Sequence, residues 1–306
     1  MAEMDKPEFT HLDKIFWPKE GYTKGDVLTY YRKMAETILP YLKDRPMVLK
    51  RNPNGIEDKG FFQKNIGSHP GFVKTVAIKA ESTGEKVHYV LCNDEKTLLY
   101  LVQLGCIELN PWNSRVNSLD RPDYLIFDID PHGEPFEKVI FVAQIIHRIL
   151  DAACEESYCK TSGKTGMHIY VPLGARYTYE QAKQFARLVS ELTHARLPDT
   201  TSLEHTPAKR KGKIYLDIER NAVGQTAAAA YSLRPFPGAT ASTPLEWREV
   251  KSVLVPTDFT IETLPKRIKN KKDLWKPVLK KGVDLMEALL CIEKELNSVI
   301  KADRRS

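Results

Sequence analysis

Apolar positions along the chain recur at two periods, 3.6 and 2, and the switches between them mark out the elements. Behind Thr23, a residue suited to cap a helix, Val27, Leu28, Tyr31, Met34, Ile38 and Leu42 follow at helical spacing, which predicts a helix over 23–43. A short apolar strand over 47–49 leads to Lys50, Arg51 and the turn Asn52-Pro53-Asn54-Gly55. Residues 73–80 and 87–92 predict a hairpin around the polar turn 81–85. Further helices are expected over 96–104, 136–152, 178–197 and 284–301, and strands over 107–109, 124–129, 167–171 and 213–218. Residues 256–281, rich in Pro and Lys, read as irregular.

Helices and strands mix without strict βαβ alternation, so the fold class is a mixed α/β (α+β) one. No internal repeat or long linker interrupts the chain. One domain over 1–306 is expected, with a small N-terminal lobe (about 1–70), a core (about 71–255) and a C-terminal tail and helix (about 256–306).

Composition narrows the class. At 42% hydrophobic and 28% charged the chain can bury a core, which excludes a disordered protein. No apolar run approaches the roughly 18–20 residues of a membrane helix, and the N-terminus lacks the apolar region of a secretion signal. A cytoplasmic protein without membrane contact is expected. The cysteines are scattered, and Cys154 and Cys159 have no second pair to complete a zinc site, so thiols in a reducing compartment are the better reading. A net charge of +6 permits a polyanionic partner without requiring one.

The candidate chemistry begins at YLIFDIDP. Side chains alternate across a strand, so Asp128 and Asp130 project from one face, where two carboxylates repel each other unless a cation relieves them. KIYLDIER repeats the design with Asp217 and Glu219. Two-metal phosphoryl transfer needs about three acidic ligands, which two adjacent acid-bearing strands would supply, with either Asp217 or Glu219 as the third. Between them, KTSGKTGMHIY offers a glycine loop with Ser162, Lys164 and His168 as donors to phosphate, although it has no GxxxxGK[ST] pattern. Arg220, Gln225 and Arg234 lie in a stretch of small residues that suits a floor beneath a triphosphate. In the N-terminal lobe Lys14, Lys24, Lys50 and Arg51 interleave with Phe16, Trp17, Phe61 and Phe62, the pairing of charge and rings that nucleic-acid ends use.

Taken in order, LDKIFWP, YTKGDVLTYY, LKRNPNGIEDKGFFQKN, ELNPWNSR, DYLIFDIDP, TSGKTGMHIYVPL and LDIERNAVGQTAAAAYSLRPFPGATASTPLEW resemble the polymerase domain of ligase D. That family belongs to the archaeo-eukaryotic primase superfamily and works in prokaryotic non-homologous end joining. The resemblance, from about Leu12 to Trp247, implies a primase-type core. It implies that Asp128, Asp130 and Asp217 form the metal triad, and that Ser162, His168 and Arg234 bind the triphosphate. Lys50, Arg220 and Gln225 would be further active-site residues, and Phe62 the ring that stacks on a base. Lys14 and Lys24 would form a pocket for the 5′-phosphate at a DNA end, with N–H groups of the following helix as added donors. Loops at 81–86 and 206–213 would position DNA ends.

The resemblance further implies two divalent ions, with Mn2+ preferred or Mg2+ in its place. It implies nucleoside triphosphates, ribonucleotides preferred, and gapped or broken DNA as substrates, a nucleoid-associated location, and a separate ligase and Ku-like end-binding protein as partners. Two positions depart from the family pattern: Asn110 where His is usual, and Phe236 where a second basic residue is frequent.

The expected activity is that of a DNA repair polymerase, a DNA-directed nucleotidyltransferase that extends a 3′-hydroxyl. Alternatives are a primase making primers de novo and a non-catalytic end-binding module. The absence of a zinc-binding insertion argues against the first, and the intact acidic triad against the second.

Overall fold

The computed structural model describes residues 7–80, 83–153 and 156–303, with residues 295–303 followed by backbone alone. Part of the 81–86 loop and Cys154 therefore lie outside the described residues. Cys92, Cys106 and Cys159 are buried thiols.

The N-terminal lobe opens with a two-stranded ribbon of β1 (Ile15–Trp17) and β2 (Tyr22–Thr23), which feeds α1 (Lys24–Leu42). Thr23 caps α1 reciprocally. Its hydroxyl accepts from the Asp26 N–H at 3.2 Å, while the Asp26 carboxylate accepts from the Thr23 N–H at 2.8 Å. The whole stripe read from the sequence, Val27 through Leu42, is buried.

The first of the two larger sheets runs past the expected lobe boundary near residue 70 and contains β3 (Pro46–Arg51), β4 (Phe61–Gln63), β5 (Lys74–Lys79) and β6 (Lys86–Leu91). After α2 (Glu95–Gln103) the chain adds β7 (Cys106–Pro111). Strands β4 and β6 share one edge of β3, and β7 takes the other.

The second sheet is built from β8 (Tyr124–Asp130), then, beyond α3 (Phe136–Ala152), β9 (Tyr158–Thr161) and β10 (Met167–Pro172). Following α4 (Tyr179–Arg196) come β11 (Thr201–Ser202), β12 (Ile214–Asp217) and β13 (Pro244–Leu245). Its order is β11-β12-β8-β10-β9-β13. Alternation along β8 decides its two faces. Leu125, Phe127 and Ile129 join the core beneath α3 and α4, while Tyr124 and Ile126 join the core shared with α1. Asp128 and Asp130 continue that second face to the point where it leaves the core.

The chain ends in α5 (Thr263–Lys271) and α6 (Leu285–Asp303). The region expected to be irregular thus contains a helix. Arg267 and Lys271 tie α5 to Glu249 at 2.5 and 3.2 Å, and Asp273 accepts from the hydroxyls of Tyr41 and Tyr231 at 2.5 and 2.6 Å. These long-range anchors hold a segment whose own sequence is a poor helix signal. Strands β1, β2, β4, β9, β11 and β13 lie outside the strands expected from the sequence, being too short to display a period.

Candidate active site

Pairing register assembles the site. In the second sheet β12 and β10 flank β8, setting Asp217 opposite Asp128 on one side and His168 opposite it on the other. Directly opposed residues share a face of the sheet. The Nε of Arg220 stands 3.2 Å from Asp128 Oδ2 and 3.5 Å from Asp217 Oδ2, and His168 Nε2 is 3.3 Å from Asp128 Oδ1. One pleat outward, the exposed Asp130 accepts from the His132 N–H at 3.2 Å, with Arg210 Nη1 at 3.8 Å.

The charges are unequal in consequence. Burial alone would raise the Asp128 carboxyl, but His168 and Arg220 outweigh it and hold it well below the usual carboxylate range. Asp217 is raised, by burial and then by the Asp128 charge, with Arg220 offsetting part of the rise. Glu219 lies outside the cleft lining and adds only a small push to the rise of Asp217. Strand β12 ends at Asp217, whose carboxylate accepts from the Glu219 N–H at 2.8 Å, and the turned chain sends Glu219 to Lys183 at 2.7 Å.

Asp128, Asp130 and Asp217 line one cleft of about 340 Å3. An all-oxygen acidic set suits hard divalent cations such as Mg2+ or Mn2+. Among the described residues no three His, Cys, Asp or Glu side chains already stand as a metal cage. Instead the Arg220 guanidinium occupies the position between two carboxylates that a cation would relieve. The donor chemistry fits a metal, provided Arg220 yields.

A second wall of the cleft is the turn between β9 and β10. Ser162 Oγ accepts from the N–H groups of Lys164 and Gly166 at 3.1 and 3.0 Å, which closes the turn. Gly163 has φ +74, and a Cβ there would meet Arg234 Cγ at 2.7 Å, so this position requires glycine. Arg234 is buried, donating to Glu108 Oε2 at 2.8 Å and to the Ser162 carbonyl. Burial would raise Glu108, but Arg234 and Lys164 hold it low and ionised. His168 is pressed down to about 4, by burial and by Lys160, and is neutral at pH 7.

Phe62 reaches the cleft mouth with its ring 63% exposed, beneath Lys50 Nζ at 4.7 Å from the ring centroid. Lys50 also donates to the Lys59 carbonyl at 2.9 Å and lies just outside the cleft lining. Gln225 is exposed and stays outside, although the adjacent Thr226 to Ala228 line it.

Lys14 and Lys24 are brought together elsewhere, by a Lys24 N–H to Lys14 carbonyl bond of 2.8 Å. Their ammonium groups bond Asn54 Oδ1 at 2.6 Å and the Thr10 carbonyl at 3.0 Å. The expected help from the N-terminus of α1 is absent. The N–H groups of Lys24, Gly25 and Asp26 are spent on Lys14, Leu12 and Thr23. Any anion there depends on side chains.

Sequence reasoning missed Glu108 and Lys160. Glu108 sits in a short apolar strand where a single acid looks like an edge residue. Lys160 is fully buried, and nothing local distinguishes it from a solvated lysine.

The chain is similar to known proteins over most of its length. The model of the LigD primase-polymerase domain matches residues 23–275. The bifunctional non-homologous end joining protein LigD of Bacillus subtilis is 35% identical over 267 residues, 86% of this chain and 43% of that protein. Multifunctional LigD of Pseudomonas aeruginosa is 30% identical over 264 residues, covering 85% and 31%. The chain therefore spans less than half the length of these relatives. The structure of the polymerase domain of Mycobacterium tuberculosis ligase D in complex with DNA superposes with a TM-score of 0.84 at 25% identity, over 91% of this chain and 99% of that one. With the family model covering most of its length, the chain belongs to the LigD primase-polymerase domains, nucleotidyltransferases of mixed α/β fold.

Proposed function

We propose that this protein is a gap-filling polymerase of DNA end joining, which adds nucleotides, ribonucleotides preferentially, to a 3′-hydroxyl. The observation that carries the reading is the cross-strand alignment of Asp217, Asp128 and His168 inside a cleft whose opposite wall is Ser162 and Arg234. LigD relatives act in non-homologous end joining by name, and one related polymerase domain is seen with DNA, which supports DNA as the substrate here.

Two divalent cations held by Asp128, Asp130 and Asp217, with Mn2+ preferred over Mg2+, would supply activation of the 3′-hydroxyl and neutralisation of the leaving pyrophosphate. The protein's own groups do the rest. Arg234, fixed by Glu108, and the Nε2–H of His168 bind phosphate oxygens, and Ser162 shapes the turn that faces them. Phe62 stacks on a base at the mouth of the cleft, with Lys50 above its ring. Arg220 guards the acidic pair and moves onto the triphosphate when the pair is otherwise neutralised. Lys14 and Lys24 hold the 5′-phosphate on the far side of a gap.

The test is extension of a gapped duplex with labelled ribo- or deoxyribonucleotides under Mn2+ or Mg2+. Asp128→Ala and Asp130→Ala are expected to abolish addition while DNA binding persists. Substantial extension by either variant would overturn the assignment.

A further inference from the structure

Lys160 ends the row that carries the site. On β9 it stands directly opposite His168, as His168 stands opposite Asp128, and no solvent reaches it. Its ammonium nitrogen has three polar neighbours: Ser242 Oγ at 2.6 Å, His168 Nδ1 at 2.8 Å and the Ala228 carbonyl at 3.0 Å. A carbonyl only accepts. The Ser242 hydroxyl proton is already given to the Thr161 carbonyl at 2.9 Å, so towards Lys160 that oxygen accepts as well. Two of three ammonium protons are thereby assigned, and the third is left for Nδ1.

The other end of the ring makes the same demand. Nε2 lies 3.3 Å from Asp128 Oδ1, a carboxylate oxygen that needs an N–H facing it. A bare Nδ1 and a proton on Nε2 satisfy both ends. The opposite tautomer would set two lone pairs against each other at Asp128 and require Lys160 to accept. Burial, and then Arg234, lower the Lys160 pKa well below the ordinary lysine value, with Asp128 and Glu108 offsetting part of the fall. The tautomer follows from the acceptors at 2.6 and 3.0 Å and from the N–H that Asp128 requires of Nε2.

We propose that Lys160 is the positioning residue for His168. Its buried amine donates to Nδ1, locks the ring in the Nε2–H tautomer and holds that single donor at the cleft wall, where Asp128 accepts it in the metal-free protein. The inference deepens the nucleotide-site reading above and rests on it for its effect on turnover, while the tautomer itself is independent of turnover.

Metal-free protein with 15N-labelled histidine is observed by NMR at pH 7, the His168 signals being assigned by their loss in His168→Gln. The expected spectrum has Nε2 protonated and Nδ1 bare as an acceptor, and a proton on Nδ1 would overturn the proposal. Lys160→Met preserves chain length without the charge. It is expected to give mixed tautomers and a roughly ten- to hundred-fold loss of kcat/KM for the nucleotide, with DNA affinity unchanged. In a His168→Ala background the same substitution should cost little more, because Lys160 acts through the ring. Additive losses, or an unchanged tautomer in Lys160→Met, would refute it. Should Lys160→Met fail to fold, the wild-type spectrum still decides.

Discussion

The Nε of Arg220 lies 3.2 Å from Asp128 and 3.5 Å from Asp217, so one guanidinium separates two carboxylates that face each other across neighbouring strands. Without it the pair would repel, and a metal would become the remaining remedy. Arg220→Met is therefore expected to lower metal-free stability by on the order of 1 kcal/mol, a modest figure because the guanidinium is 38% exposed. That corresponds to roughly 2–4 °C in Tm. Added Mn2+ should raise the Tm of the variant more than that of the parent. Equal metal-induced shifts in thermal scans would show that Arg220 does not stand in for a cation.

Asn110 presents the opposite problem. It is 3% exposed, it lines the cleft, and among the described residues its amide nitrogen makes no hydrogen bond of full geometry, although it stands near enough to Glu108 to help hold that carboxyl low. A buried donor left without a full hydrogen bond costs up to about 1–3 kcal/mol. Asn110→Leu should accordingly stabilise the free protein by up to about 1 kcal/mol, while raising the KM for nucleotide because the donor serves the substrate. Denaturant melts and steady-state kinetics read the two effects separately. A stabilised variant with unchanged KM would show that the donor is idle.

Lys14 and Lys24 are joined by a backbone bond, and the N–H groups of Lys24, Gly25 and Asp26 are already used, so the selectivity of the proposed 5′-phosphate site rests on the ammonium groups. Burial first, and then the neighbouring Lys14, lower the pKa of Lys24. Replacing both by alanine should erase most of the preference for 5′-phosphorylated over 5′-hydroxyl gaps, a roughly ten- to hundred-fold effect. Binding to the unphosphorylated gap should fall much less. Equal weakening on both substrates, with the preference kept, would reduce the lysines to diffuse attraction.

Glu249 anchors α5 through Arg267 and Lys271, and these partners, against the effect of burial, hold its carboxyl at about 2. A depressed acid contributes stability that is fully present above its unfolded value of about 4.3 and is lost as pH falls through the folded value. Glu249→Gln is expected to cost about 1–3 kcal/mol at pH 7, with the gap from the parent narrowing between pH 4.5 and 2. Urea midpoints of both proteins at pH 7, 4.5 and 3 check this. A constant gap would mean that the anchor does not depend on the charge of Glu249.

What the sequence determined by itself was local. Thr23 and Asp26 specify the start of α1 because cap and third residue meet within one turn, and the stripe from Val27 to Leu42 specifies its buried face. Alternation in YLIFDIDP puts Asp128 and Asp130 on one side of a strand whatever that strand pairs with. The motif series was specific enough to imply the family, and through it most of the cleft residues. What only the tertiary structure decided was which distant positions became neighbours. The register of β12, β8, β10 and β9 places Asp217, Asp128, His168 and Lys160 in one row; the β9–β10 hairpin is local, but no local period encodes the pairing of β8 with β10 and β12, tens of residues away. The same contacts end β12 at Asp217 and send Glu219 away, turn Glu108 into the brace of Arg234, and leave Gln225 outside the cleft. They also make a helix of α5, because Glu249 and the two tyrosines bonded to Asp273 supply from afar the stability its own sequence lacks.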